Sequence, residues 1–140
     1  VKDMGIPMEH VLLDHGNEET IKITRELGCW SGFSIYPNTK MSPQRMTQIV
    51  QEYGTERMII NSAADWGVSD PLMIPRTVVK MQQARIPDST IEKLVWHNPV
   101  DFFAQSGRLD KTSMEWPAKS NLRETCEGNS PLRGQDPDRM

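Results

Sequence analysis

The sequence predicts an α/β fold built on a small parallel sheet, and three observations carry that prediction. Short continuous apolar runs recur at Val11-Leu12-Leu13, at residues 29–35 and at Met58-Ile59-Ile60, the pattern of strands buried on both faces. Between them lie stretches with helical spacing and helix-boundary residues. Strands joined by helical crossovers run parallel, because a tight hairpin can join only antiparallel neighbours.

The elements follow in order. The first run ends at Asp14-His15-Gly16, after which Asn17 offers an N-cap ahead of Glu18 and Glu19, whose charges suit a helix start. Ile23 and Leu27 share a face of that helix, and Gly28 stands where a terminating glycine belongs. The second strand spans 29–35. Ser42-Pro43 pairs a capping hydroxyl with proline at the first helical position. Met46, Ile49, Val50 and Tyr53 then form one buried stripe before Gly54 stops the helix. The third strand is expected over 57–61 and a further helix over 75–84, with Val78, Val79 and Met81 partly inward. Ser89-Thr90-Ile91-Glu92 matches a capping box that opens a helix through Trp96. Asn98-Pro99 starts a last short helix carrying Phe102 and Phe103.

Residues 1–106 form one domain on this reading. From Gly107 onward charged residues, Pro, Gly, Ser and Asn dominate, which predicts a polar, disordered tail over 107–140 with one docked turn near Trp116. A chain of 140 residues with a net charge of −3 has room for one modest core. So small a charge argues against binding nucleic acid through bulk phosphate neutralisation, and leaves nucleic acid only as a possible substrate. No apolar run reaches the roughly 18 residues of a membrane span, and the first five residues do not read as a signal peptide. The two cysteines, Cys29 and Cys126, fit neither a disulfide framework nor a metal knuckle. Plain thiols suit a reducing compartment, and a cytoplasmic location is the expectation. Three parallel strands cannot cover their own faces and edges with so few helices. Either further strands go unread in this sequence or the rest of the sheet lies upstream of Val1, and the second is the expectation.

In parallel α/β architectures reactive groups lie at the C-terminal ends of strands. His15 follows the first strand and Asp65 lies a few residues beyond the third. An imidazole and a carboxylate from separate strand ends suit a divalent metal, and the carboxylate could also take a proton from the attacking water. The plainer reading makes His15 a turn residue and Asp65 a turn cap, and two ligands fall short of the three that hold catalytic zinc. Trp66 either walls a substrate pocket or is a core or rim residue. Asp14 is expected on the face away from the mouth, in a packing or supporting role. His10 should lie on the surface at the opposite end, His97 should be structural at a helix junction, and Asp70-Pro71 should start a helix. A Gly-rich phosphate loop, GxSxG, HExxH and HxH are all absent from the sequence.

The stretch Val11-Leu12-Leu13-Asp14-His15-Gly16-Asn17-Glu18-Glu19-Thr20, followed by Leu27-Gly28-Cys29-Trp30-Ser31-Gly32-Phe33-Ser34, resembles the later strands of TatD-like metal-dependent hydrolases. The likeness continues through Tyr53-Gly54-Thr55-Glu56-Arg57-Met58-Ile59-Ile60-Asn61-Ser62 and Ala63-Ala64-Asp65-Trp66. It closes on His97-Asn98-Pro99-Val100-Asp101-Phe102-Phe103. It implies the C-terminal portion, about strands six to eight, of a (β/α)8 barrel of the amidohydrolase superfamily. His15 would take the sixth-strand metal-ligand position. Asp65 would take that of the eighth-strand aspartate, which binds metal and acts as the base. The resemblance implies a divalent ion (Zn, Mn or Mg) and metal-activated water attacking a phosphoester or related ester or amide bond of a small-molecule or phosphoester substrate. The family's HxH pair, bridging carboxylate and fifth-strand histidine have no counterpart in this sequence. Asn61-Ser62-Ala63-Ala64-Asp65 replaces the usual acidic-Thr-Asp signature. An incomplete barrel explains both the missing ligands and the undersized sheet, and predicts that the chain alone binds metal poorly and is inactive. The alternative is a non-enzymatic α/β interaction module in which His15 and Asp65 are structural.

Overall fold

A computed structural model describes residues 2–38, 40–63 and 68–115. Strands β1 (Leu12–Leu13), β2 (Trp30–Ile35) and β3 (Met58–Ser62) form one parallel sheet in the order β1-β2-β3. Helix α1 (Thr20–Leu27) joins the first two strands and α2 (Pro43–Tyr53) the second two. After β3 come α3 (Met73–Gln83), α4 (Asp88–Glu92), a π-helical turn (Lys93–His97) and α5 (Asn98–Ala104). The predicted α/β class with a parallel sheet is therefore observed, and each strand lies within one residue of its expected span. No helix among the described residues is long and apolar enough to cross a membrane.

Local chemistry explains most of the boundaries. The Asn17 carboxamide oxygen accepts the N–H groups of Glu19 and Thr20 at 2.9 and 3.0 Å, and the Ser42 hydroxyl accepts that of Arg45 at 3.2 Å. The Asp70 carboxylate accepts the Leu72 N–H at 2.9 Å and the Arg76 guanidinium at 2.8 Å. Those bonds start α3 at Met73, two residues ahead of the expected start. The capping box at Ser89 does not form: Pro87 precedes the helix, and its carbonyl receives the Thr90 and Ile91 N–H groups at 2.9 and 3.1 Å. Nor does Asn98-Pro99 open a fresh helix. The π turn carries the chain from α4 into α5 without a break, closing with the Asn98 N–H bonded to the Lys93 carbonyl.

One core joins the elements. Phe33 and Ile35 of β2 and Met58 and Ile60 of β3 pack with Ile21 of α1, Met46, Ile49 and Val50 of α2, Met73 and Met81 of α3, and Leu94. In α1 the inward positions are Ile21 and Thr24, while Ile23 is 53% exposed. In α3 the buried row is Met73, Thr77 and Met81, which leaves Val79 outside. In both helices a threonine takes a core position because its hydroxyl is satisfied locally, by the carbonyl of Ile21 at 2.9 Å and of Met73 at 2.7 Å.

Register sorts the strand residues into two faces, since paired residues of parallel strands point the same way. Ser31, Phe33, Ile35, Met58 and Ile60 face the helices. Leu12, Trp30, Gly32, Ser34, Ile59 and Asn61 face the opposite side. At the N-terminal end of that second face Phe102 of α5 meets Trp30 edge-on, with ring centroids 5.4 Å apart. The beginning of the predicted tail is ordered as far as a 3-10 turn at Lys111–Ser113, which is tied back by an ion pair between Lys111 and Asp101. Trp116 and Cys126 lie outside the described residues, whereas Cys29 is a buried free thiol.

Candidate functional site at the strand ends

Polar side chains from all three strands meet at the C-terminal end of the second face. The Asp14 carboxylate accepts the Ser34 hydroxyl of β2 at 3.2 and 3.3 Å. It also accepts the Asn61 amide of β3 at 3.4 and 3.3 Å. Its Oδ1 further accepts the backbone N–H of His15 at 2.7 Å. Asp14 therefore belongs to the mouth, which corrects the expectation that it turns away. Leu12 lies on the second face, and a step of two residues returns Asp14 to that face.

Two glycines make the crossing possible. A Cβ on Gly32 would stand 2.6 Å from Asp14 Oδ1 and 3.0 Å from its Cα, so the side chain occupies the space that any larger residue at 32 would fill. Gly16 donates its N–H to the Gly32 carbonyl at 2.8 Å, and a Cβ there would come within 2.9 Å of the same oxygen. Gly32 was legible as a class of signal, because a glycine inside a strand marks close approach by another backbone or side chain.

His15 departs from the strand path with φ at 58°, a left-handed conformation uncommon for a non-glycine residue. It is exposed, on the rim of a cavity of about 280 Å³ shared with Asn17, Ser34, Lys40 and Arg45. Arg45 braces that rim. Its Nε and Nη2 donate to the two Glu18 oxygens at 2.8 and 2.6 Å, and its Nη1 donates to the Lys40 carbonyl at 3.0 Å. The loops after β1 and β2 are thereby tied to the start of α2. The Arg45 hydrogen bond holds the Glu18 carboxyl below the usual glutamate range, and the pairing raises Arg45 in turn.

On the β3 side, Ala63 donates its N–H to the Ile35 carbonyl at 3.2 Å, and Ser62 Oγ accepts the Ile74 N–H at 3.0 Å. Asp65 and Trp66 lie outside the described residues. Of the other histidines, His10 is exposed near Phe102 and Phe103. His97 is exposed too, at the junction between the π turn and α5, with Nε2 3.0 Å from Glu92 Oε1.

Comparison of the chain with protein-family models, with curated proteins and with solved structures finds no match.

The donors at the mouth are of the kind divalent metals take, an imidazole beside carboxylate, hydroxyl and amide oxygens. Their number is short. Among the described residues no three His, Cys, Asp or Glu side chains assemble into a metal-holding group, whereas catalytic zinc takes three protein ligands.

Proposed function

We propose that the chain is the C-terminal part of a TatD-like metal-dependent hydrolase barrel. Its mouth lies at the strand ends, with His15 and Asp65 as ligands of one divalent cation. The observation that carries the reading is the arrangement of the sheet. Three parallel strands stand in consecutive order, the core-forming helices pack on one face, and Asp14, Ser34 and Asn61 converge at the C-terminal end of the other. In a barrel that second face is the interior and that end is where catalysis takes place. The remaining strands, on this polypeptide or another, would extend the sheet from the edges of β1 and β3 and bring the missing ligands.

A bound divalent cation supplies Lewis-acid polarisation and makes water more acidic at that point. The chain's own contributions are separate. His15 offers an imidazole nitrogen, Asp65 offers a carboxylate that both ligates and accepts a proton from water, and Trp66 walls the substrate. A phosphoester or a related ester or amide is the substrate class, taken from the family resemblance.

A double-mutant cycle tests the reading. Zinc or manganese binding is measured calorimetrically on the chain and on its His15→Gln, Asp65→Asn and doubly substituted forms. Weak binding by the unmodified chain is expected, reduced by either substitution, with the double variant no worse than the poorer single one. Additive losses would mean that the two side chains do not share a cation. Unchanged binding in both single variants would remove them from the site, and tight binding by the unmodified chain would refute an incomplete ligand set.

A further inference from the structure

We infer that Asp14 is a positioning residue, whose carboxylate clamps the turn after β1 onto β2 and β3 and thereby fixes where His15 stands at the mouth. The inference rests on the hydrolase reading only for what the imidazole does once it is in place.

An ordinary aspartate turn closes on an N–H two residues further along the chain. Asp14 does something different. Oδ1 takes the N–H of the very next residue, at 2.7 Å, while the same carboxylate reaches Ser34 and Asn61 on two other strands. The result is a bridge from the His15 amide to both other strands of the sheet. On the other side of His15, the Gly16 N–H is fastened to the Gly32 carbonyl at 2.8 Å. His15 is thus held on both flanks, and both holds lead to β2.

The conformation being held is an uncommon one. At φ 58° His15 lies in the left-handed region, which non-glycine residues visit infrequently although histidine does so more than most. Gly32 completes the device, since its missing Cβ is the space in which the carboxylate lies. Removing the carboxylate leaves one hold of the two, and the left-handed turn relaxes.

The test reads the His15 backbone directly, without metal. In isotope-labelled full chain, His15 should give the strong intraresidue HN–Hα Overhauser effect that marks a positive φ, together with slowed amide exchange. Asp14→Ala should lose the Overhauser signature and exchange about tenfold faster at His15, as expected for a lost charge-assisted bond, while the amides of Phe33 and Ile60 keep their protection. Asp14→Asn retains an oxygen acceptor and should restore both signals. Should Asp14→Ala fail to fold, the Ser34→Ala/Asn61→Ala double variant keeps the aspartate but cuts its ties to the sheet, and should produce the same loss at His15. A folded Asp14→Ala, or a folded double variant, with an unchanged His15 signature would overturn the inference.

Addition of Mn²⁺ separates the two claims. Paramagnetic broadening of the His15 ring signals should appear in the unmodified chain and in Asp14→Asn, and weaken severalfold in Asp14→Ala. Equal broadening in Asp14→Ala would overturn the positioning role. Absence of broadening in the unmodified chain would count against the hydrolase reading and leave the metal-free result standing.

Discussion

Asn98 grips the sheet from the last helix, and replacing it with alanine isolates that grip. The side chain is 2% exposed, and Nδ2 donates to the carbonyls of Thr55 and Met58, each at 2.7 Å. The two acceptors are not equivalent. Thr55 also receives the Met58 N–H at 3.2 Å, so it keeps a partner when Asn98 is removed. Met58 does not. Ser31 donates to the Arg57 carbonyl, and carbonyls alternate along a strand, so the Met58 carbonyl points away from β2 into a buried place. An orphaned buried acceptor costs about 1–3 kcal/mol and the lost bond to Thr55 about 1 kcal/mol more. The expected destabilisation is therefore roughly 2–4 kcal/mol. Urea unfolding followed by tryptophan fluorescence measures it. Asn98→Asp keeps the shape but presents no donor, and should cost at least as much. A loss below about 0.5 kcal/mol for Asn98→Ala would mean that the two bonds are replaced by water, and would refute the account of how α5 is attached.

Gly32→Ala pushes a methyl group to within 2.6 Å of Asp14 Oδ1 and 3.0 Å of its Cα. A destabilisation of about 1–3 kcal/mol is expected, as for other overpacked sites, and a neutral melting curve would argue that the crossing is looser than described. Ile21→Ala should cost roughly 2–5 kcal/mol and Ile23→Ala less than about 0.5 kcal/mol, a contrast that reports which face of α1 is buried. Equal effects would contradict the facing. Glu18 has a folded pKa below its unfolded value, so its pairing with Arg45 contributes stability above the unfolded pKa, and that contribution disappears as pH falls through the folded one. Glu18→Gln should therefore flatten the stability profile below about pH 4.3 and lower stability slightly near neutrality, because the pair is exposed. A pH profile identical to that of the unmodified chain would remove the pair from the balance.

Much of the fold was legible because its signals are local. Asn17, Ser42-Pro43 and Gly54 act within one helical turn of where they stand, and the stripe Met46-Ile49-Val50 needs only the helical period. Errors fell where two residue types compete for a place. In α3 Val79 gave way to a threonine whose hydroxyl bonds within the helix, and at Ser89 a capping pattern lost to the proline before it. Of the candidate site, the sequence alone was enough to put His15 after the first strand, since an apolar run that ends in Asp-His-Gly places it there. It could not show that Asp14, Ser34 and Asn61 meet. Those residues are 20 and 47 positions apart, and what brings them together is the parallel register of three strands and the empty space at Gly32. Local propensity acts over a few residues, whereas convergence at a strand end depends on how separate strands align, and only the folded sheet sets that alignment.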